Sequence, residues 1–141
     1  MKRKNGFTLF ELLVSISIIG ILTAVVAFSF SSAQKKARDS RRVTDMNTIQ
    51  KAAEQYYSAN NYTYPTSITM PWAEASGTAI MYNFPVDPKN SGDYVYTSNF
   101  PDGIYCVCAL LEEAGKGNAA NSVCGFRSAG LKNYFCVKSQ Q

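Results

Sequence analysis

From Leu12 to Gln34 the chain runs 23 residues without a lysine, arginine, aspartate or glutamate. A helix of that length, rising about 1.5 Å per residue, crosses a hydrocarbon core about 30 Å thick. The run therefore dictates a membrane-spanning helix, and one that is too long for an ordinary secretory signal, whose apolar stretch covers about 7 to 15 residues. Lys2, Arg3 and Lys4 precede it and a single carboxylate, Glu11, opens it. A carboxylate at a bilayer is costly unless it is partnered, so it marks a functional position whose partner has to be named. Within the apolar run no basic side chain lies in helical reach. The candidates are Lys4 and the α-amino group that cleavage after Gly6 would create.

The stretch Gly6-Phe7-Thr8-Leu9-Phe10-Glu11-Leu12-Leu13-Val14 resembles the prepilin cleavage and methylation motif of type IV pilins and type II secretion pseudopilins. The resemblance implies that a membrane prepilin peptidase cuts between Gly6 and Phe7 and methylates the new amino group of Phe7. For Glu11 it implies the family's assembly role, pairing with the N-terminal amine of a neighbouring subunit; before assembly Glu11 is expected to be unpaired or lipid-exposed. It implies a structural subunit of a type IV pilus or a type II secretion pseudopilus, a helical homopolymer raised from the lipid bilayer by a membrane assembly platform. The precursor is expected to cross the cytoplasmic membrane once with its N-terminus inside, before it joins a cell-surface or periplasmic filament. Residues 1–6 then form a leader, 7–33 the transmembrane and assembly half of a helix, and 34–141 a globular domain.

Ser17, Gly20, Ala24 and Ala27 recur at spacings of three, four and three, which puts small side chains on one helical face and lets another helix approach closely. Gly20 matches a glycine common in the resembled family. Phe28 stands where that family often has a proline, so nothing forces a kink there.

The net charge of +4 points first towards nucleic acid or membrane. Removal of the leader leaves eleven basic against ten acidic side chains, and the global argument disappears. What remains is a local basic collar of Lys35, Lys36, Arg38, Arg41, Arg42 and Lys51. Charge counting at the ends of the apolar run would place this collar in the cytoplasm. The cytoplasmic action of the resembled peptidase and the cysteines favour the opposite topology. The collar is then expected at the outer headgroups or against acidic side chains of neighbouring subunits, and a nucleic-acid partner is not expected.

Helix-compatible residues continue through Ala59. Met46, Ile49, Ala53 and Tyr56 repeat at helical spacing, with Val43 and Ala52 beside them and Arg42, Lys51 and Glu54 turned elsewhere, which reads as one face on a core. Asn60-Asn61-Tyr62-Thr63-Tyr64-Pro65 ends the helix, since the residue before a proline avoids helical backbone. The globular domain divides into 34–60, the amphipathic half of the helix; 61–93, a loop region; and 94–141, the sheet and C-terminal region. Strands are expected at Tyr94–Ser98 and Ile104–Leu111, joined as a hairpin through residues 99–103, with a further one at Tyr134–Lys138. The second is apolar on both faces and should be central, between the long helix and a loop. The fold class is α+β, a long N-terminal helix on a small antiparallel sheet of three or four strands, which is the pilin fold that the resemblance implies.

The segment from Phe84 to Tyr96 is similar to the one before the sheet in the major pseudopilin of type II secretion, a subfamily that binds calcium in an acidic loop. Only Ser98, Asp102 and Gly103 match that loop here. Ca²⁺ needs six to eight oxygen ligands, so no metal site of that kind is expected. Asp87, Asn90, Ser91 and Asp93 read as a turn rather than a cation site.

All four cysteines, Cys106, Cys108, Cys124 and Cys136, lie near the C-terminus. An even count in an exported domain favours disulfides. Cys106 and Cys108, two apart on one strand face, do not suit each other, so each takes Cys124 or Cys136, and the sequence leaves both pairings open. The rival is a Cys₄ zinc site, for which the spacing is weak. Either disulfide pairing staples the region 112–130 and the last strand to the sheet, where many type IV pilins carry a disulfide-bound loop. Histidine is absent, and with it the usual general base; no catalytic residue and no cofactor are expected. The alternatives to a filament subunit are a DNA-binding pilin of an uptake system and a membrane-anchored binding module that never polymerises.

Overall fold

The computed structural model describes residues 6–69, 71–101 and 103–141. Lys2, Arg3 and Lys4 of the leader, and Asp102 of the expected hairpin, lie outside the described residues. A single long helix, α1 (Leu9–Ala59), leads five short strands among the described residues. These are β1 (Trp72–Ala73), β2 (Ala79–Met81), β3 (Thr97–Asn99), β4 (Cys106–Leu110) and β5 (Tyr134–Lys138). The chain divides into two compact units between Gln34 and Lys35.

In the first unit every large apolar side chain from Phe7 to Val26 is exposed, as is Phe30. This stretch is long and apolar enough to cross a membrane. Its hydroxyl side chains bond to their own helix: Ser15, Ser17, Thr23 and Ser29 donate to the carbonyls of Glu11, Leu13, Ile19 and Val25. Such back-bonding satisfies a hydroxyl where water is absent.

The second unit is α+β. The helix ends where Asn61 and Tyr62 turn to φ of 53° and 58°, a left-handed reversal that asparagine tolerates better than most residues. The Asn60 amide donates to the carbonyls of Tyr56 and Ala73, each at 3.0 Å, which ties the helix end to β1. Strands β3, β4 and β5 form an antiparallel sheet with β4 in the centre, and β1 and β2 form a separate small hairpin. Alternation along β4 sends Tyr105, Val107 and Ala109 into a core with Met46, Ile49, Ala52 and Ala53 of α1. Val137, Tyr64, Trp72 and Met81 complete that core. On the opposite face Cys108 and Cys136 pack with Ala119 under the loop that joins β4 to β5. That loop covers the free edge of β5: Tyr134 and Ala119 exchange backbone hydrogen bonds of 3.0 and 2.9 Å, and the Asn118 side chain bonds both the N–H and the C=O of Cys136. A side chain at Gly117 would run into the Tyr134 carbonyl, so only glycine allows this approach.

The central strand and the bounds of β5 match the expectation from the sequence. Two features depart from it. The strand expected at Tyr94–Ser98 is confined to Thr97–Asn99, because Tyr94 and Tyr96 are drawn to α1: the Tyr94 ring lies 4.8 Å from the Arg42 guanidinium and the Tyr96 hydroxyl donates to Asp45 at 2.7 Å. The hairpin β1–β2 was not foreseen, since strands of two and three residues leave too short a pattern to read.

Candidate functional site

The N-terminal end of α1 carries the first site. Thr8 is the cap and Glu11 stands three residues on. The Thr8 hydroxyl accepts from the Glu11 N–H at 3.2 Å, while one Glu11 carboxylate oxygen accepts from both the N–H and the hydroxyl of Thr8 at 2.8 Å. This reciprocal arrangement is a capping box, which satisfies N–H groups that the first turn of a helix leaves free. Glu11 is exposed, and its carboxylate is held by Thr8 of its own chain. The signal was present in Thr8-Leu9-Phe10-Glu11, a capping-box spacing ahead of an apolar run. Gly6 and Phe7 precede the helix and are exposed. Ser17, Gly20, Ala24 and Ala27 are exposed on the helix, and the space beside Gly20 is open.

A second constellation holds the globular unit together. Arg42, expected to turn away from the core, is fully buried. Its guanidinium takes the Asp87 carboxylate in a fork, Nε to Oδ2 at 2.6 Å and Nη2 to Oδ1 at 2.9 Å. Nη1 reaches Asp39 at 2.7 Å and Glu112 at 3.0 Å. Arg38 grips Glu112 with a second fork at 2.6 and 2.7 Å. Asp39 in turn accepts from the backbone N–H groups of Glu112 and Glu113, each at 2.9 Å. The Arg38 fork, with help from Arg42, holds the Glu112 carboxyl at about 2, against an ordinary 4.5. Burial opposes charge on Asp87, but the Arg42 guanidinium and the Lys89 N–H outweigh it and lower its pKa. Among the described residues no buried side-chain nitrogen or oxygen lacks a partner.

These contacts correct the expectation for the basic collar. Arg38 and Arg42 meet acidic groups of their own chain, not headgroups or a neighbour. Lys35, Lys36, Arg41 and Lys51 remain exposed. Asp87 is spent on Arg42 and on the Lys89 N–H at 2.8 Å, which makes its segment a turn. Glu54, also expected to turn outward, accepts from the hydroxyls of Tyr64 and Tyr105 at 2.8 and 3.2 Å. Burial, then Glu54, pushes the Tyr105 hydroxyl upward in pKa.

The cysteines form disulfides Cys106–Cys124 and Cys108–Cys136, one of the two pairings that the sequence left open. The second joins directly cross-strand residues of β4 and β5, and the first pins the loop between them.

Residues 1–27 match the family described as Prokaryotic N-terminal methylation motif. Over 135 residues the chain is 28% identical to the type II secretion system core protein G of Vibrio cholerae, covering 86% of this chain and 91% of the relative. It is 30% identical over 103 residues to the protein of the same name from Aeromonas hydrophila, covering 71% of this chain and 66% of the relative. The chain belongs to the type IV pilin and pseudopilin family. Both branches of the family are represented: the type IV wide pilus major component PilA4 of Thermus thermophilus is 41% identical over 61 residues, 43% of this chain and 47% of the relative. No solved structure matches the chain.

Proposed function

We propose that this pilin-family chain is the structural subunit of a type IV pilus or a type II secretion pseudopilus. A prepilin peptidase cuts the precursor between Gly6 and Phe7 and methylates Phe7. The cleaved chain waits in the cytoplasmic membrane as a single-pass protein with its N-terminus inside. An assembly platform then raises it into a cell-surface or periplasmic filament.

The observation that carries this reading is an exposed apolar helix that opens on a carboxylate, inside a matched methylation motif. An apolar surface of this extent is stable in lipid, or against copies of itself. In lipid the capping box gives Glu11 two hydrogen bonds but no counter-charge. Cleavage creates one cation suited to it, the Phe7 amine. If that amine comes from the next subunit, pairing fixes the axial register, in a medium where opposite charges attract far more strongly than in water. The small residues Ser17, Gly20, Ala24 and Ala27 supply the face on which neighbouring helices approach. Copies related by a rotation that does not close build an open filament.

Arg38 and Arg42 of the collar are paired inside the globular unit, which takes two of its six basic side chains away from a nucleic-acid surface. The test is Glu11→Ala in cells that make the filament. Expression and cleavage should be unchanged and sheared filaments should be lost. Normal filaments from this variant would overturn the assembly role, and a chain that never forms filaments at all would point to an anchored binding module.

A further inference from the structure

From Ala114 to Gln141 the chain carries Lys116, Arg127, Lys132 and Lys138 and no aspartate or glutamate. This stretch forms the disulfide-pinned loop and β5. Elsewhere in the globular unit the fold draws carboxylates into internal contacts. Asp39, Asp87 and Glu112 close on Arg38 and Arg42, while Asp45 and Glu54 accept from the hydroxyls of Tyr96, Tyr64 and Tyr105. Five carboxylates are engaged in this way against two guanidinium groups, so the surface is richer in cations than the composition suggests. The exposed collar still has acidic neighbours, Glu113 at 4.0 Å from Lys36 and Asp45 at 4.0 Å from Arg41. Among the described residues no such pair forms at Lys116, Arg127, Lys132 or Lys138.

Two of these cations share one place. Arg127 and Lys138 line an open hollow of about 360 Å³ together with Phe126 and Ser128, a volume in the range of small-ligand sites. Lys132 braces its rim: the ammonium donates to the carbonyls of Phe126 and Ser128, on either side of Arg127, at 2.8 and 2.7 Å, and adds a third positive charge. A hollow lined by one sign of charge concentrates ligands of the other sign. A guanidinium and an ammonium on one hollow suit a carboxylate, which would take charge-assisted hydrogen bonds from both. Through Lys138 the hollow continues into a larger cleft that Gln50, Asn99 and Ser139 also line. Side-chain amides and hydroxyls both donate and accept, the chemistry that meets sugar hydroxyls. A nucleic acid is served less well. Lys138 Nζ lies over the half-buried Phe126 ring, 5.6 Å from its centre, so that ring offers no bare face on which a base would stack.

We propose that the hollow binds an acidic polysaccharide, with a uronate carboxylate held between Arg127 and Lys138 and the neutral part of the sugar chain lying along the cleft past Ser139, Asn99 and Gln50. The site belongs to a single chain. In a filament of the kind proposed above it recurs in every subunit, and weak single contacts add up.

The full-length protein in detergent is titrated calorimetrically with polygalacturonate fragments at about 0.1 M salt, where attraction between distant exposed charges is largely screened. The acid polymer should bind, and its methyl ester, which keeps the sugars and lacks the charge, should not. Arg127→Gln combined with Lys138→Gln should weaken binding about tenfold or more. Lys36→Gln combined with Arg41→Gln removes the same charge from the collar and should change binding by no more than about twofold. All four side chains are exposed, so both double variants should melt as wild type does; should the loop variant melt early, the comparison of acid with ester decides. No binding of the acid polymer, equal binding of its ester, or equal losses in the two double variants overturns the proposal. Single-stranded DNA of equal charge that binds more tightly than polygalacturonate also overturns it, and makes this surface a nucleic-acid site.

Discussion

Along α1, the residues before Gln34 and those after it use polarity in opposite ways. Before Gln34 the apolar side chains are exposed and the hydroxyls turn back on their own helix. After it the core-facing apolar side chains are buried, and the largest fully buried side chain among the described residues is an arginine. One helix thus carries two surfaces made for different surroundings. In the first, polar groups are satisfied locally, because lipid offers no partners. In the second, Arg42 is satisfied by residues 45 and 70 positions away, because a folded domain can bring partners from afar.

The strongest way to break this contrast is to remove Arg42. Losing one member of a buried charge network leaves the others without compensation, which typically costs about 3–5 kcal/mol. Arg42→Ala should therefore unfold the globular unit or lower its melting temperature steeply in detergent-solubilised full-length protein. Arg41→Ala, one residue away and exposed, should stay within about 0.5 kcal/mol of wild type. Equal melting temperatures for the two variants would show that the network is not what secures the domain.

Acid sharpens the same point. Glu112 has a folded pKa of about 2, below its ordinary 4.5, so it binds protons more readily when unfolded. Its stabilisation is fully present above the ordinary value and is lost as pH falls towards 2. Denaturant melts between pH 5 and 2 should show stability falling with acid, and Glu112→Gln should flatten that slope. A variant with the wild-type slope would place the acid sensitivity elsewhere.

The smallest effect belongs to the first region. Replacing a threonine cap by alanine costs about 0.5–2 kcal/mol. Thr8→Ala should fray the first turn of α1, seen as faster amide exchange at Leu9 to Glu11, and leave the melting of the globular unit unchanged. Exchange like that of wild type would show that the capping box does not hold Glu11.

Much of the fold was legible because its signals are local. The apolar run, the helical spacing through Tyr56, and the doubly apolar central strand each identify themselves within a few residues. Arg42 was misread for a physical reason. Arg42, Met46, Ile49, Ala53 and Tyr56 continue a single spacing of four, three, four and three, so the periodicity puts Arg42 on the core face. Its charge argued the other way, and the carboxylates that overrule that argument lie far off in sequence. The cysteine pairing was closed to sequence reading for the same reason, since only the register of β4 against β5 sets Cys136 across from Cys108. Of the first site, Gly6, Phe7 and Glu11 stood out at once. The capping role of Thr8 is equally readable, in the threonine three residues ahead of Glu11 at the start of an apolar run.

The reading of Glu11 as the register contact between subunits is tested most directly in the assembled filament. A cryo-electron microscopy map that resolves side chains at the base of α1 should show the Glu11 carboxylate within ion-pair distance, about 4 Å, of the Phe7 nitrogen of the adjacent subunit. A map in which Glu11 is still bonded only to its own Thr8, with the neighbouring Phe7 amine elsewhere, would contradict it.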